Sequence, residues 1–67
     1  MKYTDFDVEA VVAGKPLTEE ERQFLIEDTP RFEEGMHLTR EGLSALSDVD
    51  LMREAYNVWA DYARSQI

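Results

Sequence analysis

Apolar and polar positions follow a helical period most clearly near the C-terminus. At 100° per residue from Leu51, the side chains of Leu51, Met52, Ala55, Tyr56, Val58, Trp59, Tyr62 and Ala63 fall within an arc of about 160°. Arg53, Glu54, Asn57, Asp61 and Arg64 fill the remainder. Ser47 precedes the stripe as an N-cap, and Asp50, three residues on, supplies an acidic variant of the capping box. A negative charge there also suits the unpaired N–H groups of a first turn. The pattern predicts a helix from about Asp48 to Ser65. Its apolar face is wider than a coiled-coil seam and rich in aromatics, so this helix is expected to be the spine of the molecule, with Trp59 and Met52 packed in the core or in a homodimer seam.

Thr18 and Glu21 have capping-box spacing, and Glu19, Glu20 and Glu21 place negative charge in the first turn of a second helix. Leu17 precedes the cap as a staple. Phe24 and Leu25 then point inward, Arg22, Gln23 and Glu27 point to water, and Pro30 stops or kinks the helix. Residues 4–13 are open between strand and helix. Phe6, Val8, Ala10 and Val12 alternate with Asp5, Asp7 and Glu9 as a strand requires, yet the chain offers no convincing second strand to pair with them. Thr4 as a cap and Gly14 with Pro16 as a stop favour the helix. Between Thr29 and Leu46, Thr39 caps a short turn with Arg40 and Glu41 outward and Leu43 and Leu46 inward, although Gly42 weakens it. The expected fold is all-α. Residues 1–67 read as a single domain, a small bundle of three or four helices with a long amphipathic C-terminal helix.

Composition narrows the chemistry. A chain of 67 residues folds to roughly 4,400 Å² of surface from roughly 11,000 Å² unfolded, which leaves a marginal core and no room for a deep internal pocket. No cysteine is present, so disulfides, thiolate metal sites and thiol nucleophiles are excluded, and helix packing or oligomerisation must supply the stability. The first residues, Met1 to Asp7, carry no apolar run and soon turn acidic, which reads as neither a signal nor a transit peptide, and no stretch approaches the ~18 apolar residues of a membrane span. A cytoplasmic protein is expected.

Catalytic and metal constellations are missing. His37 is the single imidazole, set near Glu33 and Glu34, and a metal needs three or four ligands, so no metal or cofactor is expected. The carboxylates do not follow an EF-hand spacing, and the three glycines, Gly14, Gly35 and Gly42, are isolated, so no phosphate-binding loop exists. Ser44, Ser47 and Ser65 have only His37 as a conceivable base, and Ser47 is better explained as a cap. The expectation is a protein without enzymatic activity.

Charge is more informative. Fifteen acids against seven bases give a formal charge of −8, which argues against direct binding to nucleic acid or an anionic membrane and favours a basic protein partner. The excess is concentrated in the N-terminal half, where Glu19, Glu20, Glu21, Glu27, Asp28, Glu33 and Glu34 are offset only by Arg22 and Arg31. One reading is a solvated face that keeps a small protein soluble. The other is a partial imitation of nucleic acid: sixteen residues of helix span ~24 Å, along which duplex DNA carries about 14 phosphate charges, against a net −5 here. Charge of that density steers association, and apolar contacts must then supply residence time. Tyr3, Phe6, Phe32, Met36, Met52, Tyr56 and Trp59 are too many for so small a core, which leaves Tyr3, Phe32, Met36 and Tyr56 as candidate surface anchors.

In size, acidity, helical pattern and lack of catalytic residues, the whole chain resembles, as a class, the small phage-encoded inhibitors of bacterial defence, anti-CRISPR proteins among them. No single motif carries the likeness. It implies a stoichiometric inhibitor, some members of the class being DNA mimics, that occludes a basic nucleic-acid-binding surface in the bacterial host cytoplasm. Two other readings stand beside it: a structural or regulatory homodimer, or small subunit, joined through the last helix, and an immunity protein or antitoxin against a basic nuclease or toxin.

Overall fold

In a computed structural model, which describes residues 1–32 and 35–66, the described residues form four α-helices and two 3₁₀ turns and no strand. The helices are α1 (Val8–Val12), α2 (Glu19–Asp28), α3 (Arg40–Ser44) and α4 (Asp48–Ser65), and the turns are Tyr3–Asp5 and Thr29–Arg31. The accessible surface is 4536 Å², close to the expectation for a compact chain of this length. Within the described residues no helix is long and apolar enough to cross a membrane.

The caps explain where the helices begin. Ser47 Oγ accepts from the Asp50 N–H at 3.2 Å and opens α4. Thr18 Oγ1 accepts from Glu21 N–H at 3.1 Å while Glu21 Oε1 accepts from Thr18 N–H at 2.8 Å, a complete capping box. Thr39 Oγ1 accepts from Gly42 N–H at 2.9 Å. Each bond satisfies an N–H that the helix cannot satisfy itself, and each was expected from local sequence.

The N-terminal segment departs from expectation. Helix is the right type for it, but one continuous helix capped at Thr4 is replaced by a 3₁₀ turn, an extended Phe6, and α1 capped by Asp7, whose Oδ1 accepts from Ala10 N–H at 3.1 Å. The break lets both Tyr3 and Phe6 enter the core. Gly14, at φ +118°, ends the segment in a conformation open to glycine. Proline in the Thr29–Arg31 turn ends α2 as its position foretold.

Helix α4 packs against both α1 and α2, and α3 packs against α2. Leu51, Met52, Ala55 and Val58 of α4 are buried against Val11, Leu25, Ile26, Leu43 and the aromatic residues of the N-terminal half. Tyr3 is the hub of the aromatic cluster. Its ring lies 5.2 Å from Phe24, 5.8 Å from Phe32 and 5.7 Å from Trp59, the last nearly parallel, and its hydroxyl shares a hydrogen bond with Thr29 Oγ1 at 3.2 Å. Burial raises the pKa of this phenol, an effect that the Thr29 hydrogen bond opposes and the nearby Asp28 charge reinforces.

Two further expectations are corrected: Tyr3 and Phe32 are core residues and not surface anchors, and Arg22 is bonded within the chain. The core takes in Tyr3, Phe6, Phe32 and Met52 together, because their rings and side chains stack in one cluster. Trp59 is half-buried at the edge of that cluster. Leu51, Met52, Ala55 and Val58 of the α4 stripe are buried against the chain's own helices. Arg22 does not face water: its Nη1 donates to Asp48 Oδ1 at 2.7 Å and its Nη2 to the carbonyls of Ser44 and Leu46, both at 3.1 Å.

Candidate protein-binding surface

Helix α2 divides its carboxylates by direction. At 100° per residue, Glu19, Glu20, Gln23 and Glu27 lie within about 100° of one another, and all four are exposed. Gln23 Nε2 donates to Glu27 Oε1 at 3.0 Å and holds that side chain along the helix surface. Leu25 and Ile26 occupy the buried side. The solvent face of α2 is therefore an acidic strip of Glu19, Glu20 and Glu27.

The other expected members of the acidic face differ. Glu21 is half-buried and its carboxylate is tied into the capping box. Asp28 turns toward the protein: Oδ1 accepts from Arg31 Nε at 2.7 Å, and Oδ2 is buried with no hydrogen-bond partner among the described residues. Glu33 and Glu34 lie outside the described residues. Of the candidate apolar anchors, Tyr3 and Phe32 are 4% and 3% exposed and belong to the core, so neither is available to a partner in the folded chain. Tyr56 is half-buried, and Met36, at 74% exposure, is the most exposed large apolar side chain among the described residues.

Intramolecular pairing sharpens the charge asymmetry. Arg22 binds Asp48, Arg31 binds Asp28 and Arg64 binds Asp61. The Arg22 guanidinium and the Leu17 N–H hold the Asp48 carboxyl below its ordinary pKa. Lys2, Lys15, Arg40 and Arg53 remain as cations with no ion pair among the described residues. The unpaired described carboxylates are Asp5, Asp7, Glu9, Glu19, Glu20, Glu21, Glu27, Glu41, Asp50 and Glu54, which outnumber them clearly.

Three shallow grooves stand out among the described residues. One of about 280 Å³ lies beside Tyr3 and Trp59 and carries Lys2, Asp28 and Arg31. A second, of about 340 Å³, is lined by Leu38, Leu43 and Leu46 with His37 and Glu54. The largest, about 520 Å³, runs between the N-terminal turn, α1 and Tyr56 of α4, and its charged lining residues are Asp5, Asp7 and Glu9. In the sequence these three acids do not stand out as site residues. Their alternation with Phe6 and Val8 was visible, but only the break at Phe6 turns it into a groove with a partly apolar lining. No group of three histidine or carboxylate side chains converges as a metal site among the described residues.

No family model matches the chain, and neither a curated protein nor a solved structure matches it significantly.

Proposed function

We propose that this protein is a stoichiometric inhibitor that presents carboxylates to a basic nucleic-acid-binding surface of a protein complex, in the manner of anti-CRISPR proteins and other DNA mimics. The observation that carries the reading is the surface charge left after pairing. Arg22, Arg31 and Arg64 are engaged internally, and Glu19, Glu20 and Glu27 project together from α2 with no cation paired to them.

Magnitude sets the role of this strip. Glu19 and Glu27 are separated by ~12 Å of helix, a length over which duplex DNA carries about seven phosphate charges. Three carboxylates are less than half of that. Such a strip accelerates encounter with a basic cleft, and apolar contact prolongs the complex. Met36 and Tyr56 are the anchors left from the expected set now that Tyr3 and Phe32 are buried. Inhibition would be by occlusion. An immunity protein or antitoxin acting on a basic nuclease would use the same surface in the same way, and the identity of the target distinguishes them.

The test is affinity capture from bacterial lysate with this protein as bait, elution in a salt gradient, and mass spectrometry of the eluate. The expected result is a basic nucleic-acid-binding protein or complex that moderate salt releases and added DNA displaces. Recovery of no such protein, or of a partner indifferent to both salt and DNA, would overturn the proposal.

A further inference from the structure

The groove between the N-terminal turn and α4 has the most negative lining of the three. Asp5, Asp7 and Glu9 are its charged lining residues, and no cation lines it, whereas the groove beside Trp59 contains Lys2 and Arg31 and the third combines His37 with Glu54. Its lining also includes the apolar side chains of Phe6 and Val8 and the half-buried ring of Tyr56. Trp59 packs against that ring with 5.5 Å between centroids, so the ring is held in place before anything binds.

We infer that this groove is the docking site for an arginine-bearing segment of the protein partner. The inference rests on the proposed function and specifies which surface a basic partner enters. A guanidinium is planar and weakly hydrated, so it can lie against an aromatic face while its N–H groups donate to carboxylates at the rim. An ammonium loses more hydration for the same contact and has no flat face to stack, so the groove selects arginine over lysine. The apolar part of the lining suits the methylene stem of the same side chain. Steering and holding are thereby divided between two places: the α2 strip raises the encounter rate, and the groove retains a particular side chain.

The experiment is an amide and aromatic shift map of the isotope-labelled full chain titrated with acetylated, amidated hexa-arginine, and separately with hexa-lysine, at low salt. The largest shifts are expected at the Asp5 to Glu9 amides and the Tyr56 ring, with hexa-arginine the tighter ligand. Tyr56→Leu is expected to weaken hexa-arginine roughly five- to tenfold and to leave hexa-lysine nearly unchanged. Glu9→Gln weakens both peptides. Asp5 and Asp7 are left intact because their carboxylates accept from the Lys2 and Ala10 N–H groups. Shifts confined to Glu19 through Glu27, no shifts, or equal binding of the two peptides by the wild-type chain would overturn the groove, and none of these needs a variant to fold. Failure of the two readings is separable. Hexa-arginine in the groove with no salt-released basic target defeats only the inhibitor; a captured target that tolerates the groove variants but not changes on α2 defeats only the groove.

Discussion

Tyr3 is the residue on which most of the core converges. Its ring meets Phe24, Phe32 and Trp59, so Tyr3→Ala removes a large buried aromatic and is expected to lose about 3–5 kcal/mol. Small domains have little more than ~5 kcal/mol in total, so the variant should show no cooperative thermal transition by circular dichroism. The phenol also gives the fold an alkaline limit. Its pKa is raised on folding, so its contribution is complete below the unfolded value of about 10 and is lost as pH rises beyond it. Melting temperature measured from pH 7 upward should fall above that value in the wild type and fall less steeply in Tyr3→Phe. Gly35 is a second sensitive position: a Cβ there would collide with the Thr29 carbonyl oxygen and lie 3.2 Å from Val58. Gly35→Ala is therefore expected to destabilise by about 1–3 kcal/mol in a urea titration, as overpacking does.

Between elements, the ion pair of Arg22 and Asp48 joins α2 to the start of α4, and the same guanidinium holds the Ser44 and Leu46 carbonyls of the connection before it. Asp48 also accepts from the Leu17 N–H at 3.0 Å, so one carboxylate fastens two chain segments. Its pKa is lowered on folding, which makes its contribution complete above the unfolded value of about 3.9 and lost as pH falls through the folded value. Asp48→Asn should melt lower than the wild type at pH 7, and the gap should close below about pH 4; a gap independent of pH would contradict this. The same residues show what the sequence could not display. Caps at Thr18, Thr39 and Ser47 were legible because each bond spans three residues. The Arg22 to Asp48 pair spans 26 residues, and from the helical period alone Arg22 falls on a polar flank. The N-terminal segment was legible as helix but not as turn, break and helix, because the break serves a core assembled from distant residues.

For the molecule as a whole, the all-α architecture and the α4 spine follow from periodicity and capping, and the candidate surface follows only in part. Charge could be counted along the chain, but its direction could not. Glu19, Glu20 and Glu27 share a solvent face, while Asp28 pairs with Arg31 and lies beside Tyr3. For a related reason Tyr3 and Phe32 read from the sequence as surface anchors but lie in the core, where ring packing accommodates both. What remains is a small bundle with a carboxylate strip on one helix and an acidic, partly aromatic-lined groove on another part of its surface. The most direct test of charge-steered binding is the association rate for the captured target, measured across ionic strength for the wild type and for Glu19→Lys/Glu20→Lys/Glu27→Lys. The triple variant is expected to associate at least roughly tenfold more slowly at low salt, with dissociation changed by less than about threefold and the difference shrinking as salt rises. An unchanged association rate, or a loss confined to faster dissociation, would contradict it.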